Sequence, residues 1–264
     1  MKFLTLSDKG SVRPNNEDYT EAVQVKWTGP LGQPDVLTAL FLADGMGGAA
    51  AGEFASMLAV RTSKDNLLKA LFFRPPEELL HVDLQKFLSD SCIQANTAIF
   101  AKATENKEME GMGTTLVSAV IYRDILSIVH VGDSRAYLYR EGKLQAITRD
   151  HSLVQELIDQ GKITHEQAKI HPNRNIITRA LGVSPNVEPE GRRIPLYTGD
   201  IIVICSDGLC GYVEDSTIQH NIESAEPGPK FDYRAVAENL IKVAIMAGGY
   251  DNVSVAVYQH VYLP

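Results

Sequence analysis

Aspartates at the ends of apolar runs are the residues of this chain whose type and placement suggest chemistry. Four of them, Asp44, Asp133, Asp207 and Asp251, lie next to an apolar run. The fifth, Asp18, closes a polar run. Carboxylates that converge on one edge of a sheet repel one another unless a cation compensates their charge. Donor atoms that are all oxygen favour Mg²⁺ or Mn²⁺ over zinc, which prefers histidine and cysteine. The pattern therefore predicts a divalent-cation site.

Each of these features also has a plain structural interpretation. Asp-Gly, found at 44–45 and 207–208, is a common turn dipeptide. The run Asn-Asn-Glu-Asp at 15–18 is compatible with a solvated loop or a helix cap, and Arg13 is by default a surface charge. Spacing in the sequence does not establish that the acids meet in space.

The elements that must position these acids are long helices and short antiparallel strands. Helices are predicted over 49–73, stopped by Pro75-Pro76, and over 82–104, 153–160 and 233–246, with a capping box at Thr164 and Gln167. Strands are predicted over 36–42, 114–121, 125–131, 136–140, 143–147, 201–205 and 253–258. The dipeptides 123–124 and 141–142 are short enough to be hairpin turns, so the sheet is antiparallel and the fold class is α+β. The polar stretch between 151 and 182 is interpreted as a surface excursion.

Composition excludes several classes of protein. The chain has 264 residues, 44% of them hydrophobic, and a net charge of −8, which disfavours a nucleic-acid binder. No apolar run approaches the ~20 residues of a membrane span, and Ser7-Asp8-Lys9 interrupts the start before a secretory signal can form. Three cysteines without a CxxC pair suit a reducing compartment. We therefore expect a cytoplasmic protein that does not bind membranes.

Six segments follow one another in an order that identifies a family. They are 7–13 with Asn16-Glu17-Asp18, Asp44-Gly45-Met46-Gly47-Gly48 with Gly52-Glu53, Gly111-Met112-Gly113-Thr114-Thr115, Val131-Gly132-Asp133-Ser134-Arg135, Ser206-Asp207-Gly208-Leu209, and Gly248-Gly249-Tyr250-Asp251-Asn252. Together they resemble the motifs of the metal-dependent, protein phosphatase 2C-type serine/threonine phosphatases, and most of all those of bacterial members. The resemblance covers the chain from Ser7 to about Tyr258.

The resemblance implies a four-layer αββα fold, in which a central antiparallel β-sandwich is flanked by helices on both sides. It implies a single catalytic domain over 1–264, with a flap beside the site at about 153–180. Two Mn²⁺ or Mg²⁺ ions are implied, with a third, weaker ion at Asp133 together with Asp207.

The same resemblance assigns roles to single residues. Asp44 would bridge both metals, Asp207 and Asp251 would bind the first, and the Gly45 carbonyl would bind the second. Asp18, alone or with Glu17, would hold the second metal through water. Arg13 would bind the substrate phosphate.

The implied activity is the hydrolysis of phosphoserine and phosphothreonine in proteins by a metal-activated water at the binuclear centre. The implied partners are phosphorylated proteins and a serine/threonine kinase that the enzyme opposes, and we expect a monomer. Animal members often carry a histidine, the proposed general acid, where this chain has Met46, and methionine cannot donate a proton. His130 and His151 are candidates for that donor, but a structural role is favoured, at least for His130. Ser254 replaces a frequent threonine and keeps the hydroxyl.

Two other classes remain open. One is a non-catalytic phosphoprotein-binding module on the same scaffold, which the loss of a metal-binding acid would favour, and none is lost. The other is a two-metal nuclease or a small-molecule phosphatase. The nuclease lacks a basic track, whereas the small-molecule enzyme must be separated from a protein phosphatase by substrate comparison.

Overall fold

Two antiparallel sheets face one another in the computed structural model, which describes residues 3–28, 34–73, 78, 82–228 and 230–261. The strands are β1 (Phe3–Asp8), β2 (Asp18–Thr28), β3 (Pro34–Met46), β4 (Gly113–Thr114), β5 (Leu116–Tyr122), β6 (Ile125–Val131), β7 (Arg135–Arg140), β8 (Lys143–Ala146), β9 (Glu190–Pro195), β10 (Ile201–Cys205) and β11 (Val253–Gln259). The helices are α1 (Ala49–Phe73), α2 (Leu84–Glu105), α3 (Leu153–Asp159), α4 (His165–Lys169), α5 (Asp207–Cys210), α6 (Asp215–Ser224) and α7 (Tyr233–Met246).

One sheet has five strands and the other has six, and both are antiparallel. One has the order β1-β11-β10-β7-β8, the other has the order β2-β3-β5-β6-β9, and β4 pairs with the end of β3. Every pairing between named strands is antiparallel. Consecutive hairpins allow this arrangement because they need only short turns between neighbouring strands.

Three layers of apolar side chains hold the fold together. Residues such as Leu40, Ile128, Ile202 and Ala256 fill the space between the two sheets. The outer face of the six-stranded sheet packs against α1 and α2, and the outer face of the other sheet packs against α5, α6 and α7. Each large aliphatic side chain that is fully buried contributes about 1.5–3 kcal/mol. The α+β class and the four-layer αββα order are therefore confirmed.

Most predicted elements are present, with shifted ends. Strand β3 extends to Met46, so that Asp44 lies within the strand and not after its end as predicted. The second helix begins at Leu84, because Asp83 caps it through a bond to the Lys86 amide. The capping box at Thr164 and the two hairpin turns are confirmed. Pro75 and Pro76 lie outside the described residues.

The stretch between β8 and β9 leaves the sandwich and returns to it. It carries α3 and α4, and its two ends are held side by side. The Leu153 amide donates to the Ile176 carbonyl at 2.9 Å, and the Thr178 amide donates to the His151 carbonyl at 2.8 Å. This agrees with the predicted surface excursion. In the part of the chain that the structure describes, no helix combines the length and apolar character needed to cross a bilayer.

Candidate metal centre

The strand register places two of the predicted acids directly opposite each other. Asp18 begins β2 and pairs with Asp44 in β3. Directly opposed residues of an antiparallel pair project their side chains from the same face of the sheet. The predicted pair of acids is therefore brought together by strand pairing alone.

The second sheet supplies two further acids at the same end of the sandwich. Asp207 follows β10 and Asp251 precedes β11, which is its antiparallel neighbour. The Ser206 hydroxyl donates to Asp18 Oδ2 at 2.7 Å and accepts from the Ser254 amide at 2.9 Å. These bonds join the edge of one sheet to the other, and Asp207 follows the residue that makes them.

The acids perturb one another strongly. Burial raises the pKa of Asp44 well above its usual value, and the charges of neighbouring acids raise it further; those acids are Asp18, Asp207, Asp133 and Asp251. Burial is also the first cause of the raised pKa values of Asp18, Asp133 and Asp207. Carboxylates that raise each other's pKa in this way lie in one cluster.

The cluster has the chemistry of a site for divalent cations. Within the described residues, Asp18 Oδ1 and Asp133 Oδ1 are buried and have no hydrogen-bond partner. A buried carboxylate oxygen without a partner is costly, and a hard cation with oxygen ligands satisfies both its charge and its lone pairs. The residues present therefore fit Mn²⁺ or Mg²⁺.

Two threonines of the third motif fix the backbone at Asp44. The Asp44 amide donates to Thr115 Oγ1 at 2.9 Å, and the Asp44 carbonyl accepts from the Thr115 amide at 2.8 Å and from Thr114 Oγ1 at 2.9 Å. Thr115 Oγ1 also hydrogen-bonds the Ser134 hydroxyl at 2.8 Å, beside Asp133. The sequence motif locates these two threonines but does not indicate that they fix the backbone at Asp44.

Close packing explains why residue 45 is a glycine. The Gly45 amide donates to the Glu17 carbonyl at 3.1 Å. A Cβ atom on Gly45 would overlap the Gly52 carbonyl group in α1 and would lie 2.7 Å from the Glu17 carbonyl oxygen. The absence of a side chain lets the end of β3 approach both segments. The Glu17 carboxylate rests on Gly52, and partial burial raises its pKa.

Asp133 lies in the turn between β6 and β7 and is 7% exposed. Gly132 has φ +105 and packs against Thr115, where a Cβ would lie 2.5 Å from the threonine Cγ2. The Gly132 amide donates to His151 Nδ1 at 3.1 Å. His151 thus supports the turn that carries Asp133.

Arg13 stands at the rim of the cluster. Its side chain is half exposed, and Nη2 donates to Asp251 Oδ2 at 2.7 Å. The hydrogen bond to Asp251 is the first cause of the raised pKa of Arg13, and Asp251, Glu17 and Asp207 add coulombic contributions. The arginine is therefore held over the acids while part of its guanidinium remains accessible.

Asn252 is a site residue to which the sequence assigns no role. Its Oδ1 accepts from the Glu17 amide at 2.8 Å, and its Nδ2 donates to the carbonyls of Lys9 and Asn15 at 2.9 and 2.8 Å. One buried side chain thus ties the Arg13 and Asp18 segment to Asp251. The sequence indicates the importance of Asn252 only through its place in the last motif, 248–252.

A second group of potential metal ligands lies apart from the aspartates. Ligand atoms of His130, His151 and Glu190 lie within 4.8 Å of one another, and the two imidazole rings stack with centroids 4.7 Å apart. His151 Nδ1 accepts from the Gly132 amide, and Nε2 lies 3.2 Å from Arg179 Nη1, so both ring nitrogens already face protein N–H groups. His151 therefore offers no free lone pair to a metal. The positively charged Arg179 already lies beside it, so the cluster of His130, His151 and Glu190 does not suit a metal ion. His130 Nε2 bonds the Arg149 carbonyl at 2.8 Å, in agreement with a structural histidine.

A groove of about 890 Å³ opens from the acids toward the excursion. Asp133 and Asp207 line one end of it, and Val154 and Ile158 of α3, with Tyr212 beyond α5, line its continuation. The excursion therefore lines the same groove as Asp133 and Asp207.

The comparisons with known proteins agree with one another. The family model described as Protein phosphatase 2C matches residues 16–228. The serine/threonine protein phosphatase PstP of Mycobacterium tuberculosis is 38% identical over 257 residues, which are 97% of this chain and 44% of that protein. The chain thus spans less than half the length of this relative. The serine/threonine phosphatase stp of Listeria welshimeri is 35% identical, over 94% of this chain and 92% of that protein.

A solved structure shows the same architecture with metal bound. It is the catalytic domain of the serine/threonine protein phosphatase PstP in complex with 2 manganese ions, with a TM-score of 0.78 and 37% identity, covering 98% of each chain. The matched model spans most of the chain and the relatives exceed 30% identity. The chain belongs to the protein phosphatase 2C family.

Proposed function

We propose that this chain hydrolyses phosphoserine and phosphothreonine in proteins and requires Mn²⁺ or Mg²⁺. The observation that carries the proposal is the convergence of acids with raised pKa values at one end of the sandwich, beside the half-exposed Arg13. The relatives named serine/threonine phosphatases, and the one with two manganese ions, support the same activity.

Different acids, together with one backbone carbonyl, would bind the two cations. Asp44 would contact both, Asp207 and Asp251 would hold one, and the Gly45 carbonyl, with Asp18 acting through water, would hold the other. When bound, the two cations supply an acidified water and neutralise the charge of the phosphoryl oxygens. Asp133, with Asp207, is the proposed site of a third ion.

Arg13 orients the phosphate. A guanidinium presents parallel N–H groups that match two phosphate oxygens. The bond from Nη2 to Asp251 holds the side chain beside the acids, and half of its surface remains accessible to a substrate. Arg13 therefore contributes both charge and orientation.

Met46 cannot be the proton donor for the leaving oxygen, because a thioether carries no proton. It ends β3 two residues after Asp44. A proton donor contributes ~10²–10⁴-fold in reactions of this kind, so the departure of the alkoxide must be assisted from elsewhere in the site.

The finer assignments rest on the sequence and the family. We propose that phosphorylated proteins are the substrates, that a serine/threonine kinase is opposed, and that the chain forms one catalytic domain over 1–264 with the flap at about 153–180. Action as a monomer in the cytoplasm is a further prediction from the sequence.

The test is Mn²⁺-dependent phosphate release from a phosphothreonine peptide. We expect EDTA to abolish release and Asp207→Ala to lower it by about 100-fold or more, because loss of even an outer partner of a metal costs 10–100-fold. Asp90→Ala is the matched control, since Asp90 pairs with Lys86 on the exposed surface of α2.

The outcomes separate the candidate functions. Phosphopeptide binding without phosphate release, in folded protein with Mn²⁺, would indicate the non-catalytic module. Faster turnover of free phosphorylated metabolites than of phosphoproteins would indicate a small-molecule phosphatase. Cleavage of nucleic acid in place of phosphopeptide would indicate the nuclease.

A further inference from the structure

Two tyrosines stand beside the acid cluster without belonging to a hydrophobic core. Tyr250 directly precedes Asp251 and is 56% exposed. Its ring packs on that of Tyr212, with centroids 5.5 Å apart and planes inclined by 37°. Neither ring belongs to the three buried clusters found among the described residues. Core packing therefore does not explain the pairing of the exposed Tyr250 with the half-buried Tyr212.

The Tyr250 ring packs directly against the backbone of Gly248, which has no side chain. Gly248 has φ +128, and a Cβ on it would overlap Tyr250 Cε2 and lie 2.6 Å from Cζ. The ring thus lies directly on the glycine, with Tyr212 beside it. A tyrosine fixed in this way offers a large contact surface at a low cost in side-chain entropy.

The loop of Tyr250 contacts the loop of Arg13, and its partner Tyr212 lines the groove. The Gly249 carbonyl accepts from the amides of Ser11 and Val12 at 2.8 and 3.2 Å, which binds the loop of Tyr250 to the loop of Arg13. Tyr212 lines the same groove as Asp207. Burial raises the pKa of Tyr212, and the charges of Asp207 and Asp251 raise it further, as their proximity requires.

We propose that Tyr250, supported by Tyr212, binds the side chain next to the phosphorylated residue of a protein substrate and selects apolar side chains there. The inference rests on the proposed function, because it needs a phosphoryl group bound beneath Arg13. Consecutive residues of a chain lie only 3.8 Å apart, so a bound phosphoresidue brings its neighbour close to this ring.

The charges around the platform favour an apolar neighbour over a cationic one. Arg174 lies beside Tyr212, where its charge opposes the rise in the pKa of the tyrosine, so a cation is already present at the edge of the pair. Asp251 is engaged by Arg13 and is a proposed cation ligand. Asp251 is thereby compensated, and Arg174 opposes the approach of a second cation to Tyr212, so an aliphatic or aromatic side chain gains contact area at the rings without this repulsion.

The experiment compares phosphothreonine peptides that differ only in the residues flanking the phosphothreonine. One peptide carries leucine there, a second glycine and a third arginine, and kcat and KM are measured with Mn²⁺. We expect kcat/KM to be about tenfold higher for the leucine peptide than for the glycine peptide, mainly through KM, because a partly exposed apolar contact gives the low end of hydrophobic discrimination. Tyr250→Ser should remove this preference, and Tyr250→Phe should keep it.

Tyr197→Ser is the matched control. Tyr197 is 61% exposed and stacks with Arg140, four residues before β10 begins and therefore at the opposite end of that strand from Asp207. It should keep the leucine preference.

Three results would overturn the inference: equal preference in the parent and in Tyr250→Ser, loss of the preference in Tyr250→Phe, or a stronger preference for arginine than for leucine. Turnover of none of the peptides by the parent would instead contradict the proposed function.

Discussion

Asn252 offers a quantitative test of how the metal site is assembled, and the substitution is Asn252→Leu. Leucine has the same branching and a similar volume, so it removes the amide without opening a large cavity. The side chain is 5% exposed and makes three hydrogen bonds, to the Glu17 amide and to the carbonyls of Lys9 and Asn15. These bonds connect segments that are more than 230 residues apart in the chain.

The magnitude follows from the three bonds. Each contributes about 1 kcal/mol net, so we expect a loss of about 3 kcal/mol in the free energy of unfolding. For a chain of this size, 1 kcal/mol corresponds to about 2–4 °C in Tm. The expected decrease in Tm is therefore about 6–12 °C.

The assay is thermal unfolding in EDTA, so that a change in metal affinity does not contribute. The matched control is Asn221→Ala, which removes one amide bond of 2.8 Å to the Thr217 carbonyl within α6. We expect that variant to lose about 1 kcal/mol or less, a third of the loss expected for Asn252→Leu. If Asn252→Leu melted within about 1 °C of the parent, a change well under 1 kcal/mol, the proposed bridging role would be wrong.

Two further predictions concern pH and close packing. The pKa values of Asp207 and Asp133 are raised to about 6 and about 8, so the metal-free folded state holds protons that the unfolded chain has released. Their contribution to stability is full below pH ~4 and is lost as the pH rises through the raised values. The Tm of EDTA-treated protein should therefore fall from pH 5 to pH 9, and Mn²⁺ should raise it more at pH 9; a rising Tm would contradict the clustered acids. Gly45→Ala should lower both Tm and Mn²⁺ affinity, because its Cβ meets the backbone of Gly52. Gly142→Ala, which meets open space at φ +77, should cost only about 1 kcal/mol; equal losses in the two variants would show that the contact with Gly52 is unimportant.

The elements that the sequence did not predict show what local patterns miss. Strands β1, β2 and β9 were not expected, and all three lie at sheet edges. The Glu190–Pro195 strand carries three charged residues and lacks a clear apolar alternation, which explains why the sequence does not predict it. Central strands such as Ile201–Cys205 are buried on both faces and were predicted correctly. The short helices α5 and α6 were also missed.

The sequence by itself determined the available oxygen ligands at strand ends and the order of motifs shared with one family. It also determined local structure, namely the hairpin turns and the capping box. These are properties of residue type and short-range spacing, which act within a few residues along the chain. The tertiary structure decided which acids meet, because the contact of Ser206 with Asp18 joins residues 188 apart and depends on the packing of two sheets. The same packing decided the raised pKa values, the role of Asn252 and the position of Tyr250, since burial and long-range contacts are not encoded in any single segment.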